Sequence, residues 1–190
     1  MKHLNLIVSL FLASVINSFA QDQFTIQIEP ISIENEPSVH SFSWGKTSDN
    51  KWVIIGGRID GLHQRQPNSS FLENDNNKNV FVVDPVANQT WSASLSVLQA
   101  SVFEQLQATN QEFYQKENTL YIIGGYGYSA TQNDHVTYDK LTAINVDELA
   151  TAVINETSII PYFRQISNSN LAVTGAQLGL LHDVFYLCGG

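Results

Sequence analysis

Short apolar runs divided by polar turns dominate this chain, and their period is that of strands rather than helices. Over residues 23–33 apolar and polar positions alternate, with Phe24, Ile26, Ile28, Ile31 and Ile33 on the apolar side. Alternation of period two predicts a half-buried strand, bent or kept at an edge by Pro30. Residues 40–44 predict a second short strand, residues 47–50 a turn, and residues 51–55 a strand that ends in Gly56-Gly57. Residues 58–78 are polar and Asn-rich, contain Pro67, and read as a long loop. Residues 79–83 predict another strand, Asp84-Pro85 a turn, and Thr90-Trp91-Ser92 the start of a fourth.

A second stretch repeats this order. Residues 112–115 predict a strand, Lys116-Glu117-Asn118 a turn, and residues 119–123 a strand ending in Gly124-Gly125. A loop is expected over residues 126–134 and a strand over 142–146. Then come a turn at Asp147-Glu148 and a short strand at Ala152-Val153-Ile154. Residues 146–154 also read as a short helix, because Leu149, Ala150 and Ala152 favour one, and both readings stay open. A third stretch holds Leu171-Ala172-Val173, a connection through Gly175 and Gly179, and an apolar run over 184–188 closed by Gly189-Gly190.

The glycine pairs end at residues 57, 125 and 190, so they recur 68 and then 65 residues apart. A β run closed by Gly-Gly at a near-constant period marks an internal repeat. Each run is too short to be stable as an isolated sheet, so the units must stack. Four strands with short turns per unit describe a blade of a β-propeller. The expected fold is all-β, with about two and a half blades. Such rings close with roughly four to eight blades, and an apolar strand ending mid-blade would leave an unpaired edge. The chain therefore reads as the N-terminal part of a longer protein, with an incomplete third blade. The expected organisation is a signal peptide over 1–20, a lead-in strand over 21–37 and blades over 38–190.

The N-terminus carries the export signal. Lys2 and His3 form a basic start, residues 4–16 an apolar stretch of about 13 residues, and Ser18-Phe19-Ala20 a small-residue cleavage site. The stretch is shorter than the roughly 20 residues a membrane span needs. No cysteine follows directly, which disfavours a lipid anchor. A secreted or periplasmic protein is expected, with no membrane insertion after cleavage. Removing Lys2 leaves 8 basic against 18 acidic residues, a net charge of −10. That balance argues against nucleic acid and anionic membranes as partners. Cys188 is the only cysteine, so an intrachain disulfide is excluded, and its place in an apolar strand predicts an inert core residue. Sequons at Asn68, Asn88 and Asn155 read as chance if the source is bacterial.

These pieces resemble kelch repeats. His40-Ser41, Gly56-Gly57, Val83-Asp84-Pro85 and Trp91 follow the order of that family's motif. The second unit keeps Gly124-Gly125 but has Val146-Asp147-Glu148 in place of Asp-Pro and Ile154 near the expected Trp. The third shows only its glycine pair. The period exceeds the family's roughly 50 residues, which implies loop insertions. The resemblance implies a fold far more than an activity, since one propeller scaffold hosts many functions. Trp44, Trp52 and Trp91 read as packing residues between blades rather than as stacking platforms for sugar.

Chemistry is expected in the long loops that follow the glycine pairs. The first holds Arg58, Asp60, His63 and Arg65; the second holds Tyr126, Tyr128, Asn133, Asp134 and His135. The arginines suit a carboxylate or sugar hydroxyl, and the tyrosines suit stacking. The alternative is solvated loop residues with Arg58 paired to Asp60. No metal, cofactor or catalytic constellation is evident. His63 and His135 lie in different units without ligand spacing. Residues 73–77 supply oxygen donors but lack the glycine and terminal Glu of a Ca²⁺ loop. The expected function is a non-catalytic binding module for an extracellular glycan or protein. The alternative is a carbohydrate-active enzyme of the kelch-like mutarotase or oxidase type, with its catalytic groups in further blades. A single cysteine gives no support to the tyrosine–cysteine chemistry of copper radical oxidases.

Overall fold

The computed structural model describes residues 25–61 and 70–190. The chain divides into two compact units, residues 1–31 and 32–190. The signal peptide, His63 and Arg65 lie outside the described residues. Of the first unit, residues 25–31 form no strand, and Ile26, Ile28 and Ile31 are exposed. The strand expected over residues 23–33 is therefore corrected for its described part. The alternation is present, but residues 25–31 are exposed and irregular rather than extended in a ladder.

Within residues 32–190, β1 (Ser43–Lys46), β2 (Trp52–Ile55), β3 (Asn79–Asp84) and β4 (Gln89–Ser94) form an antiparallel sheet in consecutive order. The turns follow from local chemistry. Asp84 accepts backbone N–H bonds from Val86 and Ala87 at 3.0 and 2.8 Å, and Asn88 adopts a left-handed φ of 56°. After β4 a short helix α1 (Ala100–Leu106) leads to β5 (Glu112–Lys116) and β6 (Thr119–Ile123).

The second sheet has the order β10-β9-β6-β5, with β9 at Lys140–Asn145 and β10 at Phe163–Ser167. Between β6 and β9 the chain makes a hairpin of β7 (Tyr126–Ser129) and β8 (Asp134–Thr137), where a plain loop was expected. Residues 146–154 form helix α2 (Val146–Ile154), which corrects the strand reading at Ala152-Val153-Ile154 in favour of the helix. Asn145 caps it, accepting from the Glu148 N–H, and Asp147 and Glu148 sit at its positive end. The outer strand of this sheet is β10 instead. A last hairpin, β11 (Gln177–Leu181) with β12 (Val184–Cys188), follows. Cys188 is exposed, not core: strand alternation puts it on the same face of the hairpin as the exposed Val184 and Tyr186.

The three stretches repeat one backbone geometry. Ser43 pairs with Ile55, Glu112 with Ile123, and Gln177 with Cys188. Two residues before each first strand stands a left-handed residue: Ser41, Asn110 and Gly175, at φ 53°, 52° and 69°. These residues link the repeats, since Asn110 N–H donates to Ser41 O and Gly175 N–H donates to Asn110 O. The glycine pairs do the same: Gly57 N–H donates to Ala108 O, and Gly125 N–H to Val173 O. At Gly57 and Gly124 a Cβ would overlap the carbonyl oxygens of His40 and Val173. Close approach of backbones thus excludes any side chain there.

The core lies between the two four-stranded sheets. Val53, Ile55, Val80 and Val82 of the first meet Leu120, Ile122 and Ile144 of the second, closed by Leu106 of α1 and Leu149 and Val153 of α2. Full burial of each such side chain stabilises by about 1.5–3 kcal/mol. Gln105 holds α1 in place: its Nε2 donates to the Lys140 and Ile122 carbonyls, and its Oε1 accepts from Thr142 and Gln165. Trp91 packs on this core. Trp44 is 43% exposed, and with Phe42, Trp52 and Ile54 it lines an apolar groove of about 240 Å³ on the opposite face of the first sheet.

Candidate ligand-binding site

Arg58 follows the first glycine pair and is 1% exposed. Its backbone bridges His40 on one side and Asn76 on the other. Nε donates to Asp60 Oδ1 at 3.0 Å and Nη2 to Asp60 Oδ2 at 2.7 Å, a bidentate fork. Nη1 donates to Asn76 Oδ1 at 3.0 Å, and Asp75 lies 3.5 Å from Nη2. The guanidinium stands 5.5 Å from the centre of the Phe71 ring. The Arg58 hydrogen bond holds the Asp60 carboxyl below its usual range against the opposing effect of burial, and His40 adds to the lowering. Arg58 is thus committed within the chain, and its fork is not open to a ligand carboxylate.

The second loop is organised by the β7–β8 register. Tyr128 pairs with His135, and Tyr126 with Thr137, so both tyrosines and the imidazole share one face. His135 stacks on Tyr126 at 5.8 Å with 21° between the rings, and meets Tyr128 edge-on at 5.5 Å. His135 Nε2 lies 2.9 Å from the Phe71 carbonyl oxygen, which fixes it as a donor. Phe71 also meets Tyr126 edge-on at 5.2 Å. Asn133 Oδ1 accepts from the Tyr128 hydroxyl at 2.8 Å, and Tyr138 donates to the Tyr128 carbonyl at 3.0 Å.

The two loops therefore meet. Arg58, Phe71, Tyr126, His135 and Tyr128 form a continuous cation and aromatic ledge across two repeats. Asn133, Asp134 and His135 are exposed at its outer end, and the tyrosines are half-buried. A row of ring faces beside amide and carboxylate groups can stack on apolar ligand surface and hydrogen-bond its rim. Glu104 of α1 anchors the far side of the hairpin. It accepts from Ser129 Oγ, Thr131 N and Thr131 Oγ1 at 2.6, 2.9 and 2.7 Å.

Phe71 and Glu104 carry little signal in the sequence. A lone Phe in a polar, Asn-rich loop was the one signal for the first; nothing local marked the second. Among the described residues no group of three or more His, Cys, Asp or Glu is placed to hold a metal ion. None of the described helices is long and apolar enough to cross a membrane. A comparison with known proteins finds no protein-family model and no curated protein that matches the chain.

Proposed function

We propose that this chain is part of an exported kelch-type propeller that binds an extracellular glycan or protein through the ledge. The single observation that carries the reading is the ledge itself, which is assembled from two successive repeats and carries Tyr126, Tyr128, Asn133 and His135 at its outer end. The propeller part of the reading is supported by the repeated left-handed linkers and by the groove on the first sheet. Aligning Gly56 with Gly124 makes Trp52 and Ile54 the counterparts of Leu120 and Ile122. The latter are fully buried against the first sheet, so the counterpart face suits a neighbouring unit of the same kind. The enzyme alternative has no nucleophile, base and orienting group joined by geometry on this ledge.

The test uses the secreted protein on a glycan array and in pull-downs from extracellular material. Binding that disappears in Tyr126→Ala/His135→Ala, with no sugar turned over, is the expected result. Turnover of a sugar, or undiminished binding by the double variant, overturns it.

A further inference from the structure

We infer a second ligand site, behind the β7–β8 hairpin, that takes a neutral polyhydroxylated molecule of short-saccharide size. It uses none of the ledge side chains and goes beyond the ledge reading. Between α1, the hairpin and the start of β9 lies a cavity of about 640 Å³. That is within the roughly 300–1,000 Å³ of small-molecule sites.

Its walls are fixed before any ligand arrives. Glu104 clamps the hairpin turn through Ser129 and Thr131, and Tyr138 is tied to the Tyr128 carbonyl. Two lining residues are tied together at the start of β9: Lys140 Nζ donates to Asp139 Oδ1 at 2.7 Å and to Ser167 Oγ at 2.8 Å, while Ser167 donates to Asp139 Oδ2 at 2.9 Å. A preorganised wall loses little entropy on binding. Ser101 and Gln132 also line the cavity, at exposed positions. They offer donors and acceptors of both senses, which is what a ligand hydroxyl requires.

Charge narrows the class further. Of the lining residues Glu104 and Asp139 are acidic and Lys140, paired with Asp139, is basic, a formal net charge of −1. Phosphate, sulfate and uronates are repelled. A cation finds both carboxylates already hydrogen-bonded to the protein. Ala100 and Val136 add apolar wall suited to the C–H faces of a sugar ring.

The experiment titrates the whole chain by calorimetry with cellobiose, lactose and maltotriose, and with glucuronate and inorganic phosphate as anionic probes. Binding of at least one neutral sugar is expected, weakened about tenfold or more by Gln132→Ala and by Ser101→Trp. Tyr126→Ala/His135→Ala should leave that binding unchanged. Both pocket substitutions are at exposed positions; if Ser101→Trp fails to fold, Gln132→Ala decides alone. No binding of any neutral sugar, or equal binding of the anionic probes, overturns the inference. So does sugar binding lost in the ledge variant but kept in Gln132→Ala, a result that would leave the ledge reading standing. Loss in Gln132→Ala alone, with no ledge-dependent partner found in the array or pull-downs, would support the cavity and count against the ledge.

Discussion

Arg58 and Tyr126 occupy the same place in successive repeats, one residue past the glycine pair, and are used in opposite ways. Their backbones are paired alike: Arg58 exchanges two hydrogen bonds with His40, and Tyr126 exchanges two with Thr109. Arg58 turns inward, where burial requires every guanidinium donor to find an oxygen, and Asp60, Asn76 and Asp75 supply them. Tyr126 stays half-buried, stacked on an exposed imidazole. The repeat holds the backbone constant and leaves the side chain free, so one unit builds a support and the next a surface.

The sharpest way to break this comparison is Arg58→Ala. Removal leaves Asp60 without its fork in a site where that carboxylate's side chain is 14% exposed. Losing one partner of a buried pair costs about 3 kcal/mol, measured by denaturant unfolding. Arg58→Lys should recover little of it, because an ammonium cannot make the fork. Since Asp60 is ionised more readily folded than unfolded, its contribution is present at neutral pH and lost as pH falls through the lowered folded value. The alanine variant should therefore show a flatter acid limb. A loss below about 1 kcal/mol would mean the inward Arg58 is no support at all.

Glu104 and Glu112 sharpen the comparison at the second unit. Burial would raise the Glu104 carboxyl, but hydrogen bonds from Ser129 and Thr131 outweigh it and the pKa is lowered. Its clamp on the hairpin is thus strongest at neutral pH and fades on acidification. Glu104→Gln should cost about 1–2 kcal/mol at neutral pH and less in acid. At Glu112 burial prevails over the hydrogen bonds from Ala176 and Gly175, and the carboxyl is held up. Its ionised form opposes folding, so Glu112→Gln should leave neutral-pH stability unchanged or raised. Melting temperatures across pH for both variants check the opposite signs.

Tyr126→Ala should cost far less stability than Arg58→Ala. Edge and stacked ring contacts with Phe71 and His135 contribute about 1 kcal/mol beyond area, and the ring is only half-buried. Ligand binding at the ledge should nevertheless collapse, as read by the array. A loss of stability as large as that of Arg58→Ala would make Tyr126 a second support.

Much of the strand pattern was legible from local signals. The strands near 52, 79, 112, 119 and 184 combine apolar runs with Gly, Asn or Asp turns, and both cues act within a few residues. Strand β10 escaped because Arg164, Gln165 and Ser167 break its apolar pattern, and it is held by its ladder to β9. Helix α2 carried its cap and its buried residues in the sequence, yet the expectation of a fourth strand competed with them. The ledge was half legible. The tyrosines and His135 stood in one loop, but their stacking required the hairpin register, and the bond from His135 to Phe71 spans 64 residues.

By itself, then, the amino-acid sequence determined a β-rich chain of repeating units, the glycines at each unit's strand end, and the loops that carry polar and aromatic chemistry. These depend on backbone dihedral preference and nearest-neighbour alternation, which are short-range. Only the tertiary structure decided that Arg58 is buried and Tyr126 displayed, that Gln105 and Glu104 pin helix α1 to the second unit, and that the two loops form one surface. Those outcomes turn on desolvation and hydrogen-bond satisfaction between groups far apart in the chain, which acquire an energy only once the sheets have packed.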